Sequence, residues 1–256
     1  MSTRIPRASA LAAAAVVAAA LPAAAQSLAS RVAAAADGTV RMSFAAHPGV
    51  CGNGENSINR RQGRSSEWES DCEEGPARIA LDVRDHRVVG MRTYVGGHWK
   101  PDGAGVTDLG AVRAADAAAY LLSLARSDDE VAKRAVFAAT LADSATVWPE
   151  LLAIARDGSR PQAVRKQATF WIGQEAAEAA TRGLDELARD DDVDVDVRKQ
   201  AIFALSQRPR DEGVPALIAI ARRNGDPRLR RQALFWLGQS GDPRALALFE
   251  ELLLKR

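Results

Sequence analysis

The spacing of apolar residues changes once along this chain, near residue 111. Residues 40–44 and 77–83 alternate apolar and polar side chains, as half-buried strands do, and 88–95 is a β-rich run after a short turn. From 111 onward, apolar residues instead recur every three or four positions, as they do on one face of a helix. The pattern predicts a β-hairpin with one further strand, followed by a helical region.

The helical region repeats itself with a period of about 33 residues. The motif V-R-K-Q-A-T-F-W-I-G-Q, residues 164–174, has two close copies and one weaker copy, at 197–207, 229–239 and 131–137. Four of the six Phe residues occupy one position of the motif: Phe137, Phe170, Phe203 and Phe235. Repeats of this length are typical of helix pairs that stack into a solenoid.

A second apolar helix follows each copy of the motif. Residues 148–156 and 214–222 share one pattern, and 184–189 fills the matching place between them. Pro149 and Pro215 suit the first turn of a helix, where no amide donor is needed. Two Asp-Pro pairs have the sequence of an N-cap and a first helical residue: Asp226-Pro227 and Asp242-Pro243. We therefore expect about four helix pairs.

The apolar spacing within one copy predicts which face of the first helix points inward: Val164, Ala168, Trp171 and Ile172. We expect Trp171 and Trp236 to fill the core, Phe203 to interlock neighbouring units, and Thr169 to be exposed. A small residue recurs at one position and would let neighbouring helices approach closely: Ala135, Ala168, Ala201 and Ala233.

The motifs V-R-x-Q-A-x-F-x-L-x-Q and G-V-P-A-L resemble the HEAT-like repeats of bacterial proteins, the class that includes phycobilin-lyase-type repeats. The resemblance covers residues 112–256 and does not extend to 37–100. It implies a mainly α fold, a right-handed α-solenoid of HEAT-like helix pairs whose second helices line a concave surface. It also implies a protein that binds other macromolecules along that surface.

Some HEAT-like proteins are enzymes, and the solenoid hydroxylase that modifies deoxyhypusine holds two irons with His-Glu pairs. The three histidines of this chain, His47, His86 and His98, all precede the repeats, so that ligand set cannot be carried over. No lyase-specific residue is identifiable either. The sequence also lacks a G-x-S-x-G elbow and a P-loop. We predict no catalytic, metal-binding or cofactor-binding residues, and no cofactor.

The N-terminus has the features of a secretory signal peptide, residues 1–25. Arg4 and Arg7 precede an apolar stretch at 8–21, and an A-x-A site ends at Ala25. A membrane anchor is the alternative, but the stretch is Ala-rich and shorter than the ~20 apolar residues that a bilayer span needs. We expect an exported, periplasmic protein of bacterial origin that is not inserted in a membrane after cleavage.

The charge of the chain argues against nucleic acid as a partner. Its formal charge is +1, and removal of Arg4 and Arg7 with the leader leaves 32 basic and 33 acidic residues, a charge of −1. A near-neutral protein has no bulk electrostatic attraction to nucleic acid or anionic lipid. We therefore expect a protein partner.

The chain has two cysteines, Cys51 and Cys72, and an even number in an exported protein predicts a disulfide. A metal site would need His47 and His86 or His98, but their spacing is loose. The bridge would close a small β-rich module. Five segments are predicted: a signal peptide at 1–25, a leader or short helix at 26–36, the β-rich module at 37–100, a linker at 101–110 and the solenoid at 111–256.

One basic pair recurs in each repeat and forms a candidate partner-binding surface: Arg165, Lys166, Arg198, Lys199, Arg230 and Arg231. These pairs could form a ridge for an acidic partner. The alternative is a structural ladder paired with acids that recur beside them, at Asp128, Asp194, Asp196 and Asp226, and this recurrence favours structure.

Two functions remain from the sequence. The first is an exported, non-catalytic scaffold that binds a protein or other macromolecule through its solenoid. The alternative is an enzyme or an enzyme-accessory factor, lyase- or hydrolase-like, with its site on the β-rich module around His86, Tyr94, His98 and Trp99.

The leader generates the first prediction. Cleavage after Ala25 should give a mature N-terminus at Gln26, because signal peptidase cuts after an A-x-A site. The intact mass of the exported protein measures it. A soluble cytoplasmic pool that retains Met1 would contradict the prediction.

Overall fold

The computed structural model describes residues 27–55, 58–60, 72–101, 103–127 and 130–254. The predicted signal peptide therefore lies outside the described residues. Helix α1 (Leu28–Ala33) comes first, in the segment predicted as a leader or short helix. Seven strands follow in chain order: β1 (Gly38–Phe44), β2 (Val50–Gly52), β3 (Ile58–Arg60), β4 (Glu73–Glu74), β5 (Ala77–Arg84), β6 (Arg87–Val95) and β7 (Val106–Ala111).

Four of these strands form the main sheet, in the order β6-β5-β1-β7. Strands β5 and β6 are the predicted hairpin, and β1 pairs antiparallel with β5 as the third strand. The turn places Asp85 and His86 at φ 50° and 59°. Positive φ at both central residues is the geometry that matches the twist of a two-residue hairpin.

The fourth strand of the sheet was not expected. Strand β7 pairs parallel with β1, and most of it lies in 101–110, which the sequence predicts to be a linker. A parallel pair needs a crossover connection, and the chain supplies it over β2 to β6. The β-rich module therefore extends to Ala111, and no separate linker precedes the helices.

The smaller sheet has the order β3-β2-β4 and carries the disulfide. The Sγ atoms of Cys51 and Cys72 are bonded, with their Cα atoms 5.1 Å apart, which confirms the predicted bridge. Cys51 is fully buried in β2. The bridge ties this strand to the start of β4 and closes the chain between the two cysteines.

Nine helices follow in the described part of the chain: α2 (Ala114–Leu124), α3 (Glu130–Ala139), α4 (Trp148–Arg156), α5 (Gln162–Gly173), α6 (Glu178–Arg189), α7 (Val195–Ser206), α8 (Arg210–Arg223), α9 (Pro227–Ser240) and α10 (Pro243–Leu254). Helices α3, α5, α7 and α9 carry the motif and pack side by side as one layer. Helices α4, α6, α8 and α10 form the second layer. Four helix pairs are present, as predicted.

Helix termini follow the sequence with one exception. Asp194 and Asp226 are N-caps whose carboxylates accept from the amides of Asp196 and Arg228, and Pro149 lies in the first turn of α4. Pro215, however, lies inside α8, which begins at Arg210. In this added first turn, the Glu212 carboxylate accepts hydrogen bonds from Thr181 and Arg208.

The inward face of the first-layer helices differs from the expected one. The recurring alanines are fully buried, as predicted. Thr169 is also fully buried, and its hydroxyl donates to the carbonyl of Arg165, so its predicted exposure is wrong. Phe203, Trp171 and Trp236 are only half-buried and lie at the edge of the core.

The β-rich module and the solenoid share one apolar core. Inward-facing side chains of the main sheet, such as Met42 and Phe44, belong to the same buried cluster as the helices. Backbone hydrogen bonds join residues 45 and 47 to 143 and 141, after α3. Arg134 of α3 donates to the carbonyl of Met91 in β6. The two parts are therefore joined by packing as well as by the chain.

The alanine column generates the second prediction. Ala201→Leu should lower the free energy of unfolding by about 1–3 kcal/mol, because a fully buried position has no space for added methylenes. The same change at the exposed Ala163 should alter it by less than about 0.5 kcal/mol. Urea unfolding followed by circular dichroism measures both. Equal stability of the two variants would contradict tight packing around Ala201.

Candidate functional site

The recurring arginines of the basic pairs point into the solenoid. Arg165 and Arg198 are each 6% exposed. Their Nε atoms donate to the carbonyls of Ala155 and Ala188, at 3.0 and 3.2 Å. Arg230, which is only half-buried, donates instead through its Nη1 to the carbonyl of Asn224, at 2.6 Å.

Each of these carbonyls lies at the C-terminal end of the preceding second-layer helix, where backbone acceptors lack helical donors and the helix dipole favours a cation. The arginines thus clamp each helix pair to the next. Arg165 and Arg198 are therefore not part of an exposed ridge, whereas Arg230 is half-exposed.

The second members of the pairs reach solvent to different degrees. Lys166 and Lys199 are half-exposed, Arg231 is exposed, and the Lys199 Nζ lies 3.0 Å from a carboxylate oxygen of Asp196. A role for these three side chains in partner binding stays a prediction.

Aromatic side chains form a more continuous surface feature, which we call the aromatic ladder: Phe137, Phe170, Trp171, Phe203, Phe235 and Trp236. Between helices, ring centroids are 5.1 Å apart for Phe137 and Trp171, 6.4 Å for Phe170 and Phe203, and 5.1 Å for Phe203 and Trp236. Within α5 and α9, each Phe meets the following Trp edge-to-face. Six rings therefore make an unbroken row across all four first-layer helices.

The aromatic ladder is an edge of the core that solvent can reach. Phe235 is 55% exposed, and the other five rings are half-buried. The sequence contained this signal, because the Phe position follows the buried Ala by two residues, which is about 200° around a helix. That angle places the ring away from the alanine contact.

A cavity of about 500 Å³ lies on the face of the main sheet that points away from the helices, and we call it the sheet pocket. Its lining includes Arg41, Arg78, Arg92, Tyr94, Trp99 and Lys100. The segment 96–101 runs back over this face. It begins at Gly96, with φ 71°, where a Cβ atom would lie 2.3 Å from the carbonyl oxygen of Gly52. Only glycine fits so close to β2.

Trp99 is the centre of the sheet pocket. The guanidinium carbons of Arg41 and Arg78 lie 5.0 and 4.9 Å from its ring centroid, within cation–π range. Tyr94 meets the same indole edge-on, with centroids 5.7 Å apart. Burial lowers the pKa of the Arg78 guanidinium. The pocket therefore combines aromatic faces with buried positive charge.

The structure brings together three of the four residues of the candidate enzyme site. Tyr94, His98 and Trp99 line the sheet pocket, whereas His86 lies in the hairpin turn with its Nδ1 2.9 Å from the carbonyl of Ala33. Sequence reasoning missed Arg41 and Arg78, because on an outward-facing strand position an Arg normally reaches solvent.

The described residues contain no cluster of three or more His, Cys, Asp or Glu that could hold a metal. His47, the first histidine of the alternative metal site, lies 3.6 Å from Asp143, measured from Nδ1 to Oδ1. Both cysteines of that alternative are in the disulfide.

A family comparison agrees with the helical architecture. The family of HEAT repeats matches residues 186–256, from the end of α6 to the C-terminus. The match and the stacked helix pairs together support a HEAT-like repeat protein. A search of curated proteins gives no match to the chain. Within the described ranges, no helix is both long enough and apolar enough to cross a membrane.

The buried arginines generate the third prediction. Arg198→Ala should lower the free energy of unfolding by about 1–3 kcal/mol, because a buried carbonyl loses a charged donor. The neighbouring change Lys199→Ala should cost less than about 0.5 kcal/mol, since its ion pair is exposed. Chemical denaturation measures both. A larger loss of stability in Lys199→Ala than in Arg198→Ala would mean that Arg198 faces solvent.

Proposed function

We propose that this protein is an exported, non-catalytic scaffold that binds a protein partner through its solenoid, with the aromatic ladder as the central contact. HEAT repeats are commonly protein-interaction scaffolds, and their stacking offers an extended surface. The signal-peptide pattern supports export to a bacterial periplasm. A disulfide suits an oxidising compartment.

The aromatic ladder is the observation that carries this proposal. Trp and Phe are enriched at protein interfaces, and Trp is also enriched among the few residues that carry most of the binding energy. The row crosses four helices, so a partner in an extended or helical conformation can touch several rings at once. Half-burial fixes the rings in place before binding.

The family resemblance bears on the finer form of the proposal. The repeat motif favours the phycobilin-lyase-type subclass and a right-handed superhelix with its binding surface on the second helices. The aromatic ladder instead favours the first-layer helices as the contact surface. Lys166, Lys199 and Arg231 lie on these same helices, where they would add contacts to acidic side chains of the partner.

A matched pair of variants tests the proposal, which is the fourth prediction. Phe203→Ser with Phe235→Ser removes two rings of the aromatic ladder. Leu252→Ser with Leu253→Ser makes the same kind of change on α10, where these leucines are 43% and 68% exposed. Immobilised mature protein should retain the same envelope protein in its unmodified and control forms, and the ladder variant should bind it at least ~10-fold more weakly.

Thermal unfolding of all three proteins shows whether they are folded at the temperature of the assay. Equal retention by the ladder variant and the control would contradict the aromatic ladder as the contact. Equal loss from both would mean that binding depends on exposed apolar area in general.

The sheet pocket favours a second candidate function, an enzyme or enzyme-accessory factor of lyase or hydrolase type. His98 could act as an acid or base there, beside Tyr94 and Trp99. The test is turnover of ester and glycoside substrates by the full mature chain and by His98→Ala. Activity that disappears only with His98 would support this function, and identical background rates would exclude it for those substrates.

A further inference from the structure

Two arginines are buried side by side on the outer face of the main sheet. Arg41 of β1 pairs with Ala80, and Arg78 of β5 pairs with Ser43, so the arginines are diagonal neighbours on one face. They are 6% and 5% exposed. Burying one charge is costly, and two of the same sign also repel each other.

Carbonyl and aromatic groups contact both of these guanidinium groups. Arg41 donates to the carbonyl of Lys100 at 3.1 Å, and Arg78 donates to the carbonyl of Gly96. Both face the indole of Trp99. Asp108 lies 3.9 Å from Arg41 and is part-exposed. Carbonyl and aromatic contacts orient an arginine but do not neutralise its charge.

Arg78 has an N–H donor that is available to a ligand. A guanidinium has five N–H donors. Among the residues that the structure describes, the buried Nε of Arg78 has no hydrogen-bond partner. Burial also lowers the pKa of this group, as expected for a charge that its surroundings do not fully compensate.

The rim of the sheet pocket adds to the positive charge. Arg92 and Lys100 both line the cavity, and Arg92 makes two hydrogen bonds to the carboxylate of Asp82. Of the described residues that line it, only Glu55 carries a carboxylate. Four cations therefore line the space, although Arg92 is paired with Asp82 and Asp108 lies near Arg41.

We infer that the sheet pocket binds a small organic anion, a carboxylate or phosphate attached to an aromatic or apolar group. The guanidinium fork of Arg78 suits either anion, since both accept paired hydrogen bonds. Trp99 and Tyr94 offer faces and edges for the apolar part. A cavity of about 500 Å³ lies within the range of small-molecule sites.

The anion can belong to a free small molecule or to the end of a polypeptide. A second cavity of about 440 Å³ adjoins the sheet pocket, and Arg92 and Tyr94 line both. This second cavity also includes Phe137, the first ring of the aromatic ladder. A chain whose C-terminal carboxylate lies in the sheet pocket can therefore continue toward the solenoid.

Calorimetric titration of the full mature protein tests the inference, which is the fifth prediction. The probes are N-acetyl-phenylalanine, its neutral amide and phenyl phosphate. At least one anion should bind, and the amide should bind at least ~10-fold more weakly than the matching acid, because it lacks the charge-assisted hydrogen bonds. Higher ionic strength should weaken binding of the anion.

Three variants locate the site. Arg78→Gln should weaken anion binding at least ~10-fold, and Lys100→Gln should weaken it less, because Lys100 lies on the exposed rim. Arg87→Gln removes an exposed arginine at the other end of β6 and should leave binding unchanged. If the thermal transition shows that Arg78→Gln does not fold, the other two variants decide the result. Weaker binding in Lys100→Gln and unchanged binding in Arg87→Gln would then support the inference.

The outcomes separate the sources of the anion. A tetrapeptide that ends in phenylalanine and binds ~10-fold more tightly than N-acetyl-phenylalanine would indicate a polypeptide end. Equal affinities, or a preference for phenyl phosphate, would indicate a free small molecule. No binding of either anion, equal binding of the amide, or equal loss in Arg87→Gln would overturn the inference.

Discussion

Close contact between the first-layer helices is the constraint on which the rest of the structure depends. Ala135, Ala168, Ala201 and Ala233 are fully buried in these helices. A Cβ atom at Gly173 of α5 would lie 2.9 Å from the Cβ of Ala204 in α7, so these two helices lie very close together. A larger side chain at any of these positions would force the helices apart. Because the contact has no room for a ring, the aromatic residues of the motif lie beside it. They meet their counterparts in the next repeat at 5.1–6.4 Å and form the aromatic ladder. Close packing of the first-layer helices thus accounts for both the stacked repeats and the aromatic ladder.

The same core continues into the β-rich module. One face of the main sheet packs with the helices, and the other carries Arg41 and Arg78 beneath Trp99. Antiparallel strands commonly leave one face of a sheet to solvent. In this mixed sheet the segment 96–101 lies over part of the outer face and buries Arg41 and Arg78 there. Glycine at 96 allows this path next to β2. The disulfide holds β2, the strand that Gly96 approaches, to the start of β4.

The repeat period, the helix pairs and the hairpin could be predicted from the sequence because each depends on local spacing. The disulfide could be predicted because the chain has only two cysteines and a leader typical of exported proteins. Register within the motif was also readable: Thr169 is about 100° from Ala168, on the side of Arg165, whereas the Phe position is about 200° away. The prediction assigned large apolar residues to the core without using these angles, and its assignments of Thr169 and Phe203 were therefore wrong. Strand β7 could not be predicted, since its pairing with β1 is a long-range contact. The burial of Arg41 and Arg78 could not be predicted either, because it depends on the long-range position of the segment 96–101.

The exposure of the aromatic ladder is the central point of this account, and fluorine NMR measures it directly. Uniform replacement of phenylalanine by 4-fluorophenylalanine labels all six Phe positions, including Phe44, which is 1% exposed. A soluble paramagnetic reagent broadens the signals that solvent can reach. We expect Phe235 to broaden most, Phe137, Phe170 and Phe203 to broaden partly, and Phe44 to remain sharp. Signals from the four ladder positions that stay as sharp as that of Phe44 would contradict a solvent-accessible ladder.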